Sequence, residues 1–204
     1  MFHVKLSPAE AIGRYRALLG RYHRTLDLLS DRGLADLDRL LAEADRYAEV
    51  VRRVAPDART VLDVGSGAGL PGVVLAVRLP GVRVVLSERR RKRANFLTLV
   101  GGQLELDNVE VVQGDAAQLV GLEAEVVVAQ AVGTFGEVAR LTRRARRAGS
   151  VLLSRKGPSW RDEVAAVEAE VGAAVTVVAE EPLGHRGTLV ALRFAGGTAC
   201  PSSV

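Results

Sequence analysis

The sequence predicts an α/β protein: a seven-stranded, mostly parallel sheet with an antiparallel last strand, carrying an N-terminal helical extension. Three observations predict it. From residue 59 onward, short apolar runs alternate with segments of helical periodicity, as when parallel strands are joined by crossover helices. A glycine cluster, at the end of VLDVGSGAGLPG (residues 61–72), follows the first run directly. The last two runs have no helix between them, so they should form an antiparallel hairpin.

Residues 8–54 read as helical, with Leu18, Leu19, Tyr22, Leu26 and Leu29 near 3.6-residue spacing. Ser7, Pro8 and Glu10 combine a capping box with a proline in the first turn, which starts the helix. SDRG (30–33) interrupts the pattern, a second helix covers 34–54, and APDA (55–58) closes the region. Strands are then expected at 60–64, 82–87, 108–114, 124–131, 150–154, 173–180 and 187–194. Helices are expected at 70–79, 90–106, 134–149 and 158–172. The third of these would end in Arg143, Arg144, Arg146, Arg147 and Gly149, cations and a glycine where a helix C-terminus favours them. The expected organisation is an N-terminal helical extension over 1–55, a main domain over 56–195 and a flexible tail over 196–204.

A chain of 204 residues suits one domain with a sizeable core. Aromatic residues are only 4%, which argues against a base-stacking surface built on many rings. No run approaches the roughly 20 apolar residues of a membrane span. The N-terminus lacks the basic-then-apolar order of a secretory signal. With Cys200 as the single cysteine, no internal disulfide is available, and a reducing, cytoplasmic setting is expected. His3, His23 and His185 lie far apart, so no metal site is expected. The net charge of +4 is mild, but residues 89–93 and 140–147 hold ten of the 28 Lys and Arg. Such clusters are either solvated surface or contacts for an anion such as RNA.

The glycine segment carries the chemistry. Asp63 stands two residues before Gly65, and Gly67 and Gly69 follow. Glycine permits positive φ and leaves no Cβ between backbone and ligand. GAGLPG (67–72) also satisfies G-x-G-x-x-G, a weak pointer to a dinucleotide when it stands alone. Pro71 removes an N–H where a pyrophosphate would want one, and Asp63 brings negative charge close to it. An acid suits a cationic nucleoside such as S-adenosylmethionine, which carries a sulfonium and an ammonium. A dinucleotide and a bare structural turn stay open as alternatives. On the nucleoside reading, Asp63, Gly65, Ser66, Gly67, Gly69 and Leu70 form the binding loop. Glu88 then stands at the end of the second strand, where a carboxylate accepts from both ribose hydroxyls. Asp115, with the backbone of Ala116 and Ala117, is placed for the adenine. The competing roles are a helix-capping acid for Glu88 and a helix cap for Asp115.

Residues 89–93 put five cations at the start of a helix, where the dipole is positive and favours anions. A phosphate partner removes that conflict, and the end of a strand is the ligand side of such a sheet.

DVGSGAGLPGVVLAVRLP, LSERRRKRANFLTLVGGQLELDNVEVVQGDA and SRKG resemble the bacterial small-subunit ribosomal RNA guanine-N7 methyltransferase family, also called glucose-inhibited division protein B. The specific signatures are Gly-Leu-Pro-Gly, Lys-Arg-x-x-Phe-Leu (92–97) and a Lys-Gly after the fifth strand. The likeness is good over 60–118, looser to 194 and weak over the first 55 residues. It implies a class I methyltransferase, Rossmann-like fold, which the hairpin ending also favours over the six-stranded dinucleotide fold. It implies methyl transfer from S-adenosylmethionine to N7 of a guanine in 16S ribosomal RNA. The partner would be that RNA or a small-subunit assembly intermediate, with no membrane, and the enzyme a monomer. By position, Lys156 and Arg186 match the family's nucleotide-facing lysine and arginine, as positioning groups; Arg90, Arg91, Lys92 and Arg93 join them as RNA contacts. No general base is expected. Two places depart from the family: ADRYAEVV (44–51) replaces a His-Ile-Leu-Asp-Ser stretch, and Gln130 replaces an arginine. These departures keep a methyltransferase for a small molecule or protein as the alternative.

Overall fold

A computed structural model describes residues 5–184 and 187–195 of the chain. Arg186, His185 and the tail expected over 196–204 lie outside the described residues.

Helix α1 (Pro8–Tyr22) starts at the capping box: the Glu10 N–H donates to Ser7 Oγ at 3.3 Å, and the Ser7 N–H donates to Glu10 Oε2 at 2.9 Å. A short α2 (Asp31–Ala35) and α3 (Leu37–Val54) follow. Tyr15, Leu19, Leu41, Tyr47 and Val51 from these helices pack into the same core as Val61, Val84 and Val126 of the sheet. The helices therefore share their apolar interior with the rest of the protein.

The strands are β1 (Thr60–Val64), β2 (Arg83–Glu88), β3 (Val109–Gln113), β4 (Ala124–Ala129), β5 (Arg146–Lys156), β6 (Val175–Pro182) and β7 (Thr188–Phe194). Their order in the sheet is β3-β2-β1-β4-β5-β7-β6. The first five are parallel; β7 runs antiparallel to both β5 and β6. Consecutive residues of β1 and β4 are buried on both faces, which is why residues 61–62 and 126–129 are apolar without alternation. Helices α4 (Gly72–Arg78) and α5 (Arg91–Gln103) join α1 and α3 on one face. Helices α6 (Phe135–Leu141) and α7 (Trp160–Val171) cover the other, over Leu62, Val127 and Leu192. The chain leaves β1 toward β3 and later returns to place β4 on β1's other side. That reversal opens a crevice at the carboxyl ends of β1 and β4, where sheets of this kind bind ligands.

The helix expected over 134–149 is corrected: α6 ends at Leu141 and the arginine-rich stretch enters β5. Thr142 closes the helix, with its Oγ1 donating to the Val138 carbonyl at 2.8 Å. Ala145 then accepts from the Ala124 N–H, and Arg146 pairs in register with Ala124. The Arg146 guanidinium lies 3.7 Å over the Phe194 ring. Gly149, at φ +73, sits in an irregular stretch between two paired segments of β5, where it replaces the expected helix cap. Strand pairing and ring stacking come from distant residues, and they outweigh the local helical pattern.

Candidate functional site

The glycine loop turns at three positive-φ residues, Gly65 (+66°), Gly67 (+55°) and Gly69 (+97°). A Cβ at Gly65 would come within 3.1 Å of Val132, and one at Gly69 within 2.6 Å of Val73 and 2.9 Å of the Tyr15 hydroxyl. The loop is held from three sides. Ser66 donates its N–H to the Ser87 carbonyl (3.0 Å) and its hydroxyl to the Asp63 carbonyl (3.0 Å), so its side chain faces inward. The Gly72 N–H donates to Asp63 Oδ2 at 3.2 Å. From α1, the buried Tyr15 hydroxyl donates to the Ala68 carbonyl at 2.7 Å. Leu70 packs against the core beside these residues.

Glu88, at the end of β2, is buried and accepts from two backbone groups: Gly67 N–H to Oε2 (3.0 Å) and Arg90 N–H to Oε1 (2.7 Å). A carboxylate has about four lone-pair sites, so acceptor capacity remains. Asp115 Oδ1 accepts from the Ala117 N–H (3.0 Å), capping a 3₁₀ turn over Ala116–Gln118, and Oδ2 lies 3.8 Å from Arg89. Glu88, Asp115, Ala116 and Gly65 line one cavity of about 590 Å³, which Ala131 and Val132 close from the end of β4. A larger hollow of about 890 Å³ lies at the β3 edge near Lys5 and Asp107, away from the glycine loop and strand ends. The smaller cavity is the better candidate because it sits at the topological switch.

Asp63 is 1% exposed, and its Oδ1 is buried without a hydrogen-bond partner. Burial pushes its carboxyl up from 3.8 to about 7, against the pull of the Gly72 N–H and with a further push from Glu88. The folded protein therefore holds a proton that the unfolded chain releases near pH 4. This group's contribution to stability is fully present below about pH 4 and is lost as pH rises through 7. A cationic ligand favours the ionised form. Its affinity is expected to rise between pH 5.5 and 8, with proton release on binding, and Asp63→Asn should flatten that rise. Calorimetric titration in buffers of different ionisation enthalpy measures both. An unchanged pH slope in the variant would remove Asp63 from the site.

The cations divide into two groups. Arg89, Arg90, Arg91 and Lys92 are exposed at the cavity rim or beside it, and Arg93 is half-buried against the glycine loop. Lys156, expected at the RNA surface, is turned inward instead. Its Nζ donates to the Gly133 carbonyl at 2.6 Å, pairs with Glu163 at 2.9 Å and lies 4.5 Å from the Phe135 ring centre. An acid on α7 and an acceptor after β4 draw it there, and neither is near it in sequence. Lys156→Met is expected to cost about 1.5–3 kcal/mol, by removing the charged donor that bonds the Gly133 carbonyl and pairs with Glu163. Thermal unfolding beside RNA-binding titration checks this. Weaker RNA binding with unchanged stability would make Lys156 a surface contact after all.

Ala131, Val132, Tyr15 and Asp27 reach the site without having been singled out in the sequence. The first two follow the fourth strand, and the predicted switch point could have flagged them. Nothing local marks Tyr15 or Asp27. Gln130 is half-buried next to Ala131, which has φ +58°. Among the described residues, no group of His, Cys, Asp and Glu is placed to hold a metal ion, and no helix is long and apolar enough to cross a membrane.

Residues 9–187 match the family model GidB, described as rRNA small subunit methyltransferase G. A Ribosomal RNA small subunit methyltransferase G of Beutenbergia cavernae is 37% identical over 152 residues, 74% of this chain and 70% of that protein. One from Ralstonia nicotianae is 34% identical over 158 residues, with the same two coverages. Among solved structures, a putative S-adenosyl-L-methionine-dependent methyltransferase from Methanococcus maripaludis superposes with a TM-score of 0.61 at 15% identity, covering 98% of this chain and 100% of that one. A mutant of MtNAS in complex with S-adenosylmethionine gives 0.60 at 20% identity, covering 93% and 76%. These two likenesses concern the fold.

Proposed function

Since the chain belongs to the GidB family, rRNA small subunit methyltransferase G, we propose that it transfers the methyl group of S-adenosylmethionine to N7 of a guanine in 16S ribosomal RNA. The observation that carries this reading is a single cavity with two kinds of wall. Glycine loop and Glu88 suit a nucleoside on one side, and Arg90 and Arg93 suit a phosphate chain on the other.

The residues fit S-adenosylmethionine. Asp63 has a buried oxygen without a partner, and the three positive-φ glycines form a cradle that side chains would fill. In this reading Asp63, Gly65, Ser66, Gly67, Gly69 and Leu70 make the loop, with Ser66 and Leu70 shaping it from behind. Glu88 holds the ribose hydroxyls, and Asp115, Ala116 and Ala117 hold the adenine. The bound cofactor supplies an electrophilic methyl on a sulfonium. Guanine N7 offers an in-plane lone pair and carries no proton, so the protein needs no general base. Its residues act by alignment, and well-aligned reacting groups gain up to about 7–11 kcal/mol. Positive charge builds on the purine as the methyl arrives, so guanidiniums belong on phosphates or on O6. Arg90, Arg91, Lys92 and Arg93 take the phosphates. Lys156 acts from within, by holding the Gly133 carbonyl and with it the segment carrying Ala131 and Val132. Arg186 is a further proposed positioning group. The methyltransferase unit is residues 56–195, with the helices of 1–55 built onto it.

The test is transfer of labelled methyl to deproteinised ribosomal RNA from a strain lacking the gene, with mapping of the modified base. Small-subunit assembly intermediates serve as a second substrate. Label at a guanine N7 of 16S RNA is the expected result. Label that stays off RNA and enters a metabolite fraction would overturn it in favour of a small-molecule acceptor, the reading suggested by Gln130 and the inward Lys156.

A further inference from the structure

Residues 23–30 link α1 to α2 and bring Asp27 against α5, more than 60 residues away in sequence. Asp27 has φ +51°, a left-handed conformation uncommon for a non-glycine residue. Its Oδ2 is shared by two guanidiniums, Arg93 Nη2 at 2.8 Å and Arg90 Nη1 at 3.2 Å. Arg93 Nη2 also donates to the Asp27 backbone carbonyl. One carboxylate oxygen and one carbonyl thus occupy two arginines that line the candidate cofactor cavity. The Arg93 guanidinium is 4.0 Å from where a Cβ on Gly67 would stand.

We infer that Arg90 and Arg93 form a clamp for one RNA phosphate beside the cofactor cavity, and that Asp27 is a built-in competitor for that clamp. The inference rests on the RNA-methyltransferase reading above. Charge bookkeeping supports it. Five cations at 89–93 face three acids. Both oxygens of Glu88 accept backbone N–H groups, Asp115 is nearest Arg89, and Asp27 serves Arg90 and Arg93. Arg91 and Lys92 are exposed, with no ion pair among the described residues. The Asp27 side chain is 83% exposed, and exposed carboxylate pairs of this kind contribute little. A phosphate offers more acceptor oxygens to the same two forks and makes stronger, charge-assisted bonds. It also relieves the unfavourable placement of cations at the start of α5. RNA binding therefore exchanges Asp27 for phosphate and frees the 23–30 segment from the rim. The clamp sits at the cavity mouth, so the exchanged phosphate lies close to the target nucleotide.

The test compares wild type with Asp27→Asn and Arg93→Ala, titrating deproteinised 16S RNA at several salt concentrations and S-adenosylmethionine separately. Asparagine tolerates the left-handed backbone of residue 27 and keeps its carbonyl, so Asp27→Asn should fold, and its melting temperature is the control. Asp27→Asn is expected to bind RNA about 3- to 10-fold more tightly at low salt, with S-adenosylmethionine affinity unchanged. Arg93→Ala is expected to weaken RNA binding and to reduce the salt slope by about one, as for one lost phosphate contact. RNA affinity that is unchanged or weaker in Asp27→Asn overturns the competitor role. An Arg93→Ala variant that loses cofactor affinity but keeps RNA affinity overturns the clamp and assigns Arg93 to the cofactor's carboxylate. Wild-type protein that binds no RNA overturns the parent reading as well, so the two failures are distinguishable.

Discussion

Glu88→Ala is expected to weaken S-adenosylmethionine binding by about 100-fold or more. Hydrogen bonds to a charged group contribute roughly 1.5–3 kcal/mol each, and two ribose hydroxyls would lose theirs. The same carboxylate accepts from the Gly67 and Arg90 N–H groups, so its removal also unties the glycine loop from the start of α5. Glu88→Gln keeps one acceptor oxygen and should fall between wild type and alanine. Calorimetric titration gives the affinities, and thermal unfolding without cofactor isolates the loss of loop support. Binding within a few-fold of wild type in Glu88→Ala would remove the ribose role and leave a structural one.

Gly72→Ala is expected to destabilise the fold by about 1–3 kcal/mol, the usual cost of overpacking a core, and to weaken cofactor binding with it. An added methyl would overlap Leu86 and the Asp63 carboxylate, both buried between α4 and the sheet. Relief would push Asp63 off the Gly72 N–H and out of its place at the end of β1. The opposing helix-propensity gain of alanine is at most about 1 kcal/mol, so the steric term decides the sign. Gly13→Ala is the contrasting variant: it is exposed on α1 with nothing near its added Cβ, and a small stabilisation is expected there. Chemical denaturation of the two variants reads both effects. Equal stability in the two would show that the close packing around Gly72 is not restrictive.

Much of the fold was legible because its signals are local. Buried strands are predominantly apolar without alternation, Gly65 follows β1 at once, and the missing helix between β6 and β7 announces an antiparallel pair. Glu88 was legible for the same reason, since the end of a strand after a glycine loop fixes its address. The stretch after α6 was misread because residues 134–149 carry a sound helical pattern with cations at its end. What moves it into β5 is pairing with Ala124 and stacking on Phe194, both contributed by distant segments.

By itself the sequence determined the sheet class, the glycine loop, its acid at Asp63, the carboxylate of Glu88 at the end of the second strand and the row of cations at residues 89–93. Each depends on residues adjacent in the chain, where strand ends and backbone conformation suffice. Only the tertiary structure decided that Lys156 turns inward to Glu163, that Tyr15 braces the glycine loop, and that Asp27 occupies Arg90 and Arg93. Long charged and aromatic side chains take the nearest partner in space. For these three the partner lies on another element, and no spacing along the chain specifies which one.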